Sequence, residues 1–328
     1  MINEHTIIIG CGPCGMSTAL SLQKNNIDPL IIEKGNIVNT IYKFPTHQTF
    51  FSSSHNLEIG NMPFISSRKK PVRNEALAYY REVAMRNNLR INPFEKAVTI
   101  NKENDKFIIK TKNIHNEEKI YKAKYVVIAT GYYDQPNLLT IEGENLPHVM
   151  HYFKEAHPYY KKQVTVIGGK NSSIDTALEL YHAHADVTVL YRGSDYSKSI
   201  KPWILPDFKS LVDYGKIKMI FDANITRIKK DSIEYHAAGK DISISADFVF
   251  AMIGYHPDTL FLESAGINID KLTGRPQFNH QTYETNINNL YVAGVIISGL
   301  NGNETFIENG RLHGLKIAND IIEKNNKE

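Results

Sequence analysis

Apolar residues along the chain form two kinds of pattern, short continuous runs and segments with a helical period. Residues 6–34 hold an apolar run (TIIIG), a glycine-rich turn, an amphipathic segment and a second apolar run, and residues 164–192 repeat this order. In the second copy Ile174, Ala177 and Tyr181 recur at i, i+3 and i+7, the spacing of a buried helical stripe. Each copy has about 30 residues, the length of a β-α-β unit. The pattern predicts two such units with parallel strands covered on both faces.

The segments between the two copies predict further elements. Residues 74–89 (NEALAYYREVAMRNNL) predict a helix with Asn74 as its N-cap. Residues 106–113 and 119–131 flank the polar stretch IHNEE and predict antiparallel strands. The turn-rich stretch YYDQPN after Gly131 predicts a crossing between domains.

A second crossing is expected after DFVFAMIGYHP, because the late strand NLYVAG resembles the last strand of the first domain. The chain is therefore expected to have an α/β fold of two Rossmann-like, three-layer domains, the second inserted in the first. The first domain is expected to comprise residues 1–135 and 256–328, and the inserted domain residues 136–255.

Composition narrows the class of protein. Hydrophobic residues make up 42% of the chain and charged residues 22%, and the net charge is only +3. This balance argues against nucleic-acid or membrane partners. Two cysteines exclude a disulfide scaffold. The amino terminus has no signal-peptide pattern and no run reaches the roughly 18 apolar residues of a membrane span, so a cytoplasmic location is expected.

The first glycine-rich turn, GCGPCG, matches both a C-x-x-C dithiol and a G-x-G-x-x-G dinucleotide loop. Gly10 would permit the turn, Gly12 would let a pyrophosphate approach the backbone, and Gly15 would allow close helix–strand packing. Glu33 ends the next strand, where an acidic residue binds a ribose hydroxyl. The preceding strand, the following helix and this carboxylate favour the dinucleotide loop.

The second glycine-rich turn departs from the pattern. Lys170 stands where the second glycine is usual, and Ser173 replaces the third. Arg192 ends the next strand, where an acid would select NAD, and arginine there accommodates a 2′-phosphate. The second unit is therefore expected to bind NADP(H).

The whole arrangement resembles the two-dinucleotide-binding flavoproteins of the thioredoxin-reductase class. The resemblance implies FAD on the first unit and NADPH on the second, with residues 129–131 (ATG) lining the FAD site. It also implies that Gly294 and a helix starting near Thr305 approach the ribityl chain and ring. Val295 stands where that superfamily usually has an aspartate.

Three branches of this superfamily fit less well. Residues 136–255 contain no cysteine, unlike the NADPH domain of thioredoxin reductases, and TIYKFPTHQTFFSSS lacks the pair of glutathione reductases. The monooxygenase pattern F-x-G-x-x-x-H-[SF] is matched only in part by NLPHVMHY. Monooxygenation is weakened and stays open as an alternative.

A closer match covers essentially the whole chain. IIIGCGPCG, YKFPTHQTFFSSS, HYFKEAHPYY, VIGGKNSSID, VLYRGSDYSKSIKPWILP and FIENGRLHG resemble the YpdA-type bacillithiol-disulfide reductases. The resemblance implies that NADPH and FAD reduce the disulfide of a low-molecular-weight thiol, with Cys14 implicated in activity. Lys170 and Val295 belong to this family's pattern.

The position of Cys14 gives a physical reason for that role. It lies at the start of the helix after the glycine loop, where the helix dipole is expected to lower its pKa and favour thiolate. Cys11 is expected to pack between helix and sheet. We expect the segment with His47, Phe51 and Ser52 to pass over the isoalloxazine. His313, with Asn309 and Arg311, is expected on a last helix whose N-terminus faces the flavin.

These expectations define one candidate site, with Cys14 as the catalytic residue and no metal. The residues expected to bind cofactors come from the two nucleotide loops and from other segments of both domains: Gly10, Gly12, Pro13, Cys14, Gly15, Glu33, Lys34, His47, Phe51, Ser52, Val98, Ala129, Thr130, Gly131, Gly168, Gly169, Lys170, Asn171, Ser172, Ser173, Tyr191, Arg192, Ile253, Gly254, Gly294, Val295 and Ile307. The expected partner is a small-molecule disulfide, and a homo-oligomer is expected. Two alternatives remain: a ferredoxin- or flavodoxin-type NADP reductase, and a non-catalytic FAD/NADPH redox sensor.

Overall fold

The computed structural model describes residues 1–327. Their strands are β1 (Ile2–Ile9), β2 (Leu30–Ile32), β3 (Arg90–Asn92), β4 (Glu95–Glu103), β5 (Lys106–Asn113), β6 (Glu118–Ile128), β7 (Val149–Met150), β8 (Gln163–Ile167), β9 (Asp186–Leu190), β10 (Lys218–Ile220), β11 (Asn224–Ile228), β12 (Ser232–Ala237), β13 (Lys240–Ser245), β14 (Phe248–Ala251) and β15 (Leu290–Val292). Their α-helices are α1 (Pro13–Gln23), α2 (Asn39–Lys43), α3 (Arg73–Arg86), α4 (Asn171–His182), α5 (Leu205–Asp213), α6 (Thr259–Ser264), α7 (Ile307–Gly310) and α8 (His313–Asn325). None of these helices is both long and apolar enough to span a bilayer.

The chain divides into two compact units. Unit 1 comprises residues 1–135 together with the chain from residue 255 onward, and unit 2 comprises residues 136–254. The sequence put the first crossing between the same two residues and the second one residue later, so Tyr255 belongs with unit 1.

Unit 1 is built on a seven-stranded sheet in the order β3-β2-β1-β6-β5-β4, with β15 also paired to β6. Strands β1, β2, β3, β6 and β15 pair in parallel, whereas β4, β5 and β6 pair antiparallel. The two antiparallel strands expected near residues 106–131 are β5 and β6, and β6 continues into the parallel part of the same sheet.

Strand β1 shows why the central strands read as continuous apolar runs. Its Ile8 packs into a core with helical residues such as Met16 and Ile317, while Ile7 and Ile9 pack on the opposite face. Because the period of a strand is two, burial on both faces requires an apolar residue at every position.

Unit 2 contains a five-stranded parallel sheet, β10-β9-β8-β14-β7, and a three-stranded antiparallel sheet, β11-β12-β13. Helix α4 joins β8 to β9 and buries Ile174, Ala177 and Leu180 in one core with Phe250. A second core lies between the two sheets, around Ile233 and Val249.

Two local expectations are wrong. Helix α3 begins at Arg73 with Val72 as the N-cap residue, not Asn74, and the Glu75 carboxylate accepts the Val72 N–H at 2.8 Å. The last helix is two helices, α7 and α8, divided at Arg311 and Leu312, where the Leu312 N–H donates to the Asn309 oxygen three residues back at 3.1 Å.

Candidate functional site

The first glycine loop links β1 to α1, and its three glycines have different surroundings. A Cβ on Gly10, whose φ is +109°, would lie 2.5 Å from the Ala129 carbonyl oxygen, and one on Gly15 would lie 2.1 Å from the Gly10 oxygen. A Cβ on Gly12 would meet nothing within 4 Å. Gly10 and Gly15 are therefore required by packing, whereas Gly12 borders open space at the N-terminus of α1, where Pro13 begins the helix.

Glu33 ties this loop to the end of β2. Its buried carboxylate accepts the Cys11 N–H at 2.7 Å and the Gly35 N–H at 2.8 Å. Burial raises its pKa, and the two N–H donors oppose that shift. Each carboxylate oxygen has remaining acceptor capacity for a ribose hydroxyl.

Beside Glu33 lies a surface depression of about 440 Å³. Lys34 reaches across it to Asp134 at 2.8 Å, and Lys43 also pairs with Asp134. These pairs hold the pKa of Asp134 below its usual range, against the effect of its burial. Lys96 lines this depression. Val98, two residues later, lies at an irregularity in the β4–β5 register between Ala97 and Thr99. Such a bulge leaves backbone groups outside the ladder.

The carboxyl ends of three parallel strands meet beside the loop. The Ala129 N–H donates to the Ile9 oxygen at 2.8 Å, and the Ala293 N–H donates to the Ile128 oxygen at 2.9 Å. Gly131 and Gly294 follow with φ of +71° and +79°, a conformation that favours glycine. This strand-end crevice is where open α/β sheets bind ligands.

Cys14 faces two glycines that are distant in sequence. A Cβ on Gly310 would lie 2.8 Å from its Sγ, and a Cβ on Gly294 would lie 3.1 Å from it. The expectation of a lowered pKa is wrong, because burial raises the pKa of the Cys14 thiol to about 12 and outweighs the helix terminus. Cys11 is fully buried and its pKa is also raised by burial.

The residues expected on one last helix have separate places. The Asn309 side chain accepts the Phe306 N–H at 2.8 Å at the start of α7. Arg311 Nη1 donates to the Glu58 carbonyl, and the Arg311 carbonyl accepts from Ser17 Oγ at 2.6 Å. His313 begins α8 and accepts the Gly294 N–H at Nδ1, at 3.1 Å.

Other expected residues of unit 1 differ in exposure. His47 and Phe51 are exposed and Ser52 is half-buried. Phe50 anchors this segment: its side chain is buried and its N–H donates to the Pro71 oxygen at 2.9 Å. Val295 and Ile307 are half-buried; Val295 follows Gly294, and Ile307 is the first residue of α7.

In unit 2 the second glycine loop is shaped by an aromatic ring. A Cβ on Gly168, with φ of +136°, would lie 2.5 Å from the Met252 oxygen, whereas a Cβ on Gly169 would lie 2.4 Å from the Tyr191 ring. The same ring excludes a side chain at Gly193. The second glycine of this loop therefore makes room for Tyr191. The sequence did not predict this contact. Gly169 and Gly193 lie on two sides of the Tyr191 ring, and that arrangement can be recognised only in the structure.

The start of α4 is braced from within unit 2. Asn171 donates to the Ser199 oxygen at 3.0 Å and accepts the Lys201 N–H at 2.8 Å, and Ser173 Oγ donates to the Lys170 oxygen at 2.7 Å. Lys170, Ser172 and Arg192 are exposed. Ile253 and Gly254 are held by Asn137, which donates to both of their carbonyl oxygens.

Comparison with known proteins identifies the family. The family model for pyridine nucleotide-disulphide oxidoreductases matches residues 7–294. The chain belongs to that family. Membership confirms the expectation of an oxidoreductase with two dinucleotide-binding domains, and it implies a flavin and a pyridine nucleotide.

Three individual proteins are similar to this chain over nearly its full length. Bacilliredoxin reductase Bdr of Bacillus subtilis is 55% identical over 99% of this chain and 100% of its own. The structure named bacillithiol disulfide reductase Bdr (YpdA) from Bacillus cereus matches with a TM-score of 0.97 and 55% identity over 98% of this chain and 99% of its own. The structure of the same name from Staphylococcus aureus matches with a TM-score of 0.94 and 54% sequence identity, over 99% of this chain and 99% of its own. The resemblance seen in the sequence is thus confirmed.

Proposed function

We propose that the chain is an NADPH-dependent, FAD-containing reductase of a low-molecular-weight thiol disulfide, namely bacillithiol disulfide. The 55% identity over 98% of the chain to a structure named bacillithiol disulfide reductase is the observation that carries the proposal. FAD is assigned to unit 1 and NADPH to unit 2.

The residues of unit 1 fit an FAD molecule. Gly12 leaves open space before the N-terminus of α1 for a pyrophosphate, and Glu33 lies at the end of β2 with acceptor capacity for a ribose. Lys96 on β4 lines the depression next to Lys34, two residues before the register irregularity at Val98. Gly131 and Gly294 provide close backbone approach at the strand ends.

The residues of unit 2 support NADPH. Exposed Arg192 lies two residues after the end of β9, where a guanidinium pairs with a 2′-phosphate, and exposed Lys170 lies in the loop before α4. FAD, when bound, supplies two electrons that it receives from NADPH as a hydride.

Cys14 would carry the disulfide chemistry. Its Sγ attacks one sulfur of the substrate, one thiol leaves, and a mixed disulfide remains on Cys14. Two electrons and two protons then release the second thiol and restore the Cys14 thiol. Because its pKa is raised to about 12, Cys14 is a neutral thiol at pH 7, and its proton must leave as the new bond forms. The departing thiolate of the substrate is the natural acceptor for that proton.

A Cys14→Ser variant tests this role. We expect it to retain FAD and to accept hydride from NADPH in stopped flow, because a serine hydroxyl fits the same space. We expect it to lose turnover with bacillithiol disulfide, since a hydroxyl does not form the mixed disulfide. Wild-type turnover in this variant would show that the thiol takes no part in the chemistry.

Reoxidation of the NADPH-reduced wild type by a panel of acceptors tests the substrate. Fast reoxidation by bacillithiol disulfide supports the proposal. Reoxidation only by a bacilliredoxin disulfide would move the substrate to a protein, as in the name of the B. subtilis relative. Reoxidation only by one-electron acceptors, or none at all, would favour the reductase or sensor alternatives.

A further inference from the structure

The thiol of Cys14 rests on a backbone wall that is itself held by a histidine. Gly294 forms that wall, since a Cβ there would lie 3.1 Å from Cys14 Sγ. The Gly294 N–H donates to His313 Nδ1 at 3.1 Å, and both groups are buried. Gly294 has a φ of +79°, so this single hydrogen bond fixes a peptide in the conformation that only glycine adopts readily.

The imidazole of His313 is held in place by an aromatic stack. Its ring lies 4.2 Å from the Tyr283 ring at an interplanar angle of 17°, and Tyr283 stacks in turn on Phe278 at 5.6 Å and 10°. Tyr283 has a φ of +62°, which is uncommon for an aromatic residue and marks a position fixed by its surroundings. The Tyr283 N–H donates to the Asn279 oxygen at 2.7 Å, and the Tyr283 oxygen accepts the Val292 N–H at 3.0 Å.

The hydrogen bond also fixes the protonation state of His313. A backbone N–H can only donate, so Nδ1 must carry a lone pair and the ring proton is on Nε2. Burial lowers the pKa of His313 to about 4, which keeps this neutral form at physiological pH.

We infer that His313 is a positioning residue for Cys14: its neutral Nδ1 anchors Gly294 and thereby fixes the wall against which the thiol is aligned. The use of an aligned thiol for disulfide reduction rests on the function proposed above. The contact chain is Tyr283, His313, Gly294 and Cys14, and it runs entirely within unit 1.

Three substitutions of His313 separate the acceptor atom from the bulk of the ring. His313→Asn keeps an acceptor bonded to Cγ, as Nδ1 is. His313→Gln moves the acceptor one atom further, and His313→Leu removes it. His115→Leu, at an exposed histidine in the turn between β5 and β6, is the matched control.

Each FAD-loaded variant is treated with iodoacetamide, and modification of Cys14 is followed by fragment-resolved mass spectrometry. We expect Cys14 of His313→Leu and His313→Gln to react about tenfold faster than wild type, because the wall loosens, and kcat with bacillithiol disulfide to fall about tenfold at similar KM. His313→Asn should stay within about threefold of wild type. Rates are expressed per bound FAD, and His115→Leu should reduce ferricyanide with NADPH, a reaction that needs no thiol, at the wild-type rate.

Equal Cys14 alkylation in His313→Leu and His115→Leu would overturn the inference. So would an equal defect in His313→Asn and His313→Gln, because the acceptor at Cγ would then be irrelevant; this pair decides the matter if His313→Leu does not fold. If the wild type reduces no disulfide but the alkylation rates differ as expected, the positioning stands and the proposed function fails.

Discussion

At the scale of single residues, Glu33 shows how one side chain supports both the fold and the site. Its two oxygens accept the backbone N–H of Cys11, in the glycine loop after β1, and that of Gly35, just after β2. A carboxylate, which has acceptors only, is matched to two donors. The amide of a glutamine would place donors against one of them.

Glu33→Gln should therefore lower stability by about 1–3 kcal/mol and reduce the FAD retained on purification, because one buried N–H loses its acceptor. Urea unfolding and the flavin-to-protein absorbance ratio measure both effects. Glu103→Gln, at an exposed position on β4, is the control and should change neither. Full flavin content in Glu33→Gln would contradict the assigned role of this carboxylate.

His313 gives the protein a defined sensitivity to acid. Its pKa is lowered from 6.5 to about 4 in the folded state, first by burial and then by Lys316. The unfolded chain binds the proton first as pH falls, so stability is fully present above about pH 6.5 and is lost towards pH 4. The loss is at most roughly 3 kcal/mol. The difference in unfolding free energy between wild type and His313→Asn should change by an amount of this order between pH 7.5 and pH 5, because only the wild type has the buried imidazole. A constant difference between the two proteins would contradict the lowered pKa.

Residue-level chemistry was the part that the sequence predicted least well. It placed Cys14 at a helix start, which is where the structure has it, but the expected low pKa was wrong. The helix terminus is a local feature and can be seen in the sequence, whereas the burial of Sγ depends on Gly294 and Gly310. Those residues are distant in the chain, so no local pattern indicates the contact.

At the scale of elements, the strand–loop–helix at residues 2–23 was predictable because its signals are local. Apolar runs, glycine spacing and the following helical period all lie within one stretch of chain. The division of the last helix at residues 311–312 was not, since the Arg311 carbonyl is bound by Ser17 from α1. The surroundings of the three loop glycines also differ in a way that the motif alone does not show.

This difference yields a paired prediction. Gly12→Ala should leave stability unchanged or raise it by about 0.4–1 kcal/mol, since its φ of −81° suits alanine, but it should abolish FAD binding by filling the open space. Gly15→Ala should destabilise the fold by about 1–3 kcal/mol, because its Cβ would overlap the Gly10 carbonyl oxygen. Thermal melts of the apoproteins and flavin titrations separate the two effects. Loss of stability in Gly12→Ala would contradict this division.

At the scale of the whole molecule, the insertion of one unit in the other was predictable from strands that resemble each other across a gap. Each unit has its own sheets and its own apolar cores. The cores of unit 2 contain residues 136–254 alone, including Val166, Phe208 and Phe250. A segment of this size with complete cores is long enough to fold independently.

Residues 136–254 expressed alone should therefore unfold in one cooperative transition by circular dichroism. The same segment carrying Val166→Asp, which places a charge in its core, should give no such transition and serves as the unfolded reference. A non-cooperative melt of the unaltered segment would show that unit 2 depends on unit 1.

The backbone at the two crossings has a consequence for the ancestry of the chain. In unit 1 the His256 N–H donates to the Gln135 oxygen at 2.9 Å, and in unit 2 the Asn137 N–H donates to the Gly254 oxygen at 2.9 Å. In each unit the two chain positions where it connects to the other unit are thus hydrogen-bonded to each other. If unit 2 were deleted, a short turn would suffice to close the chain of unit 1. Recombination can therefore exchange unit 2 without reopening the fold of unit 1, so the two units can evolve separately.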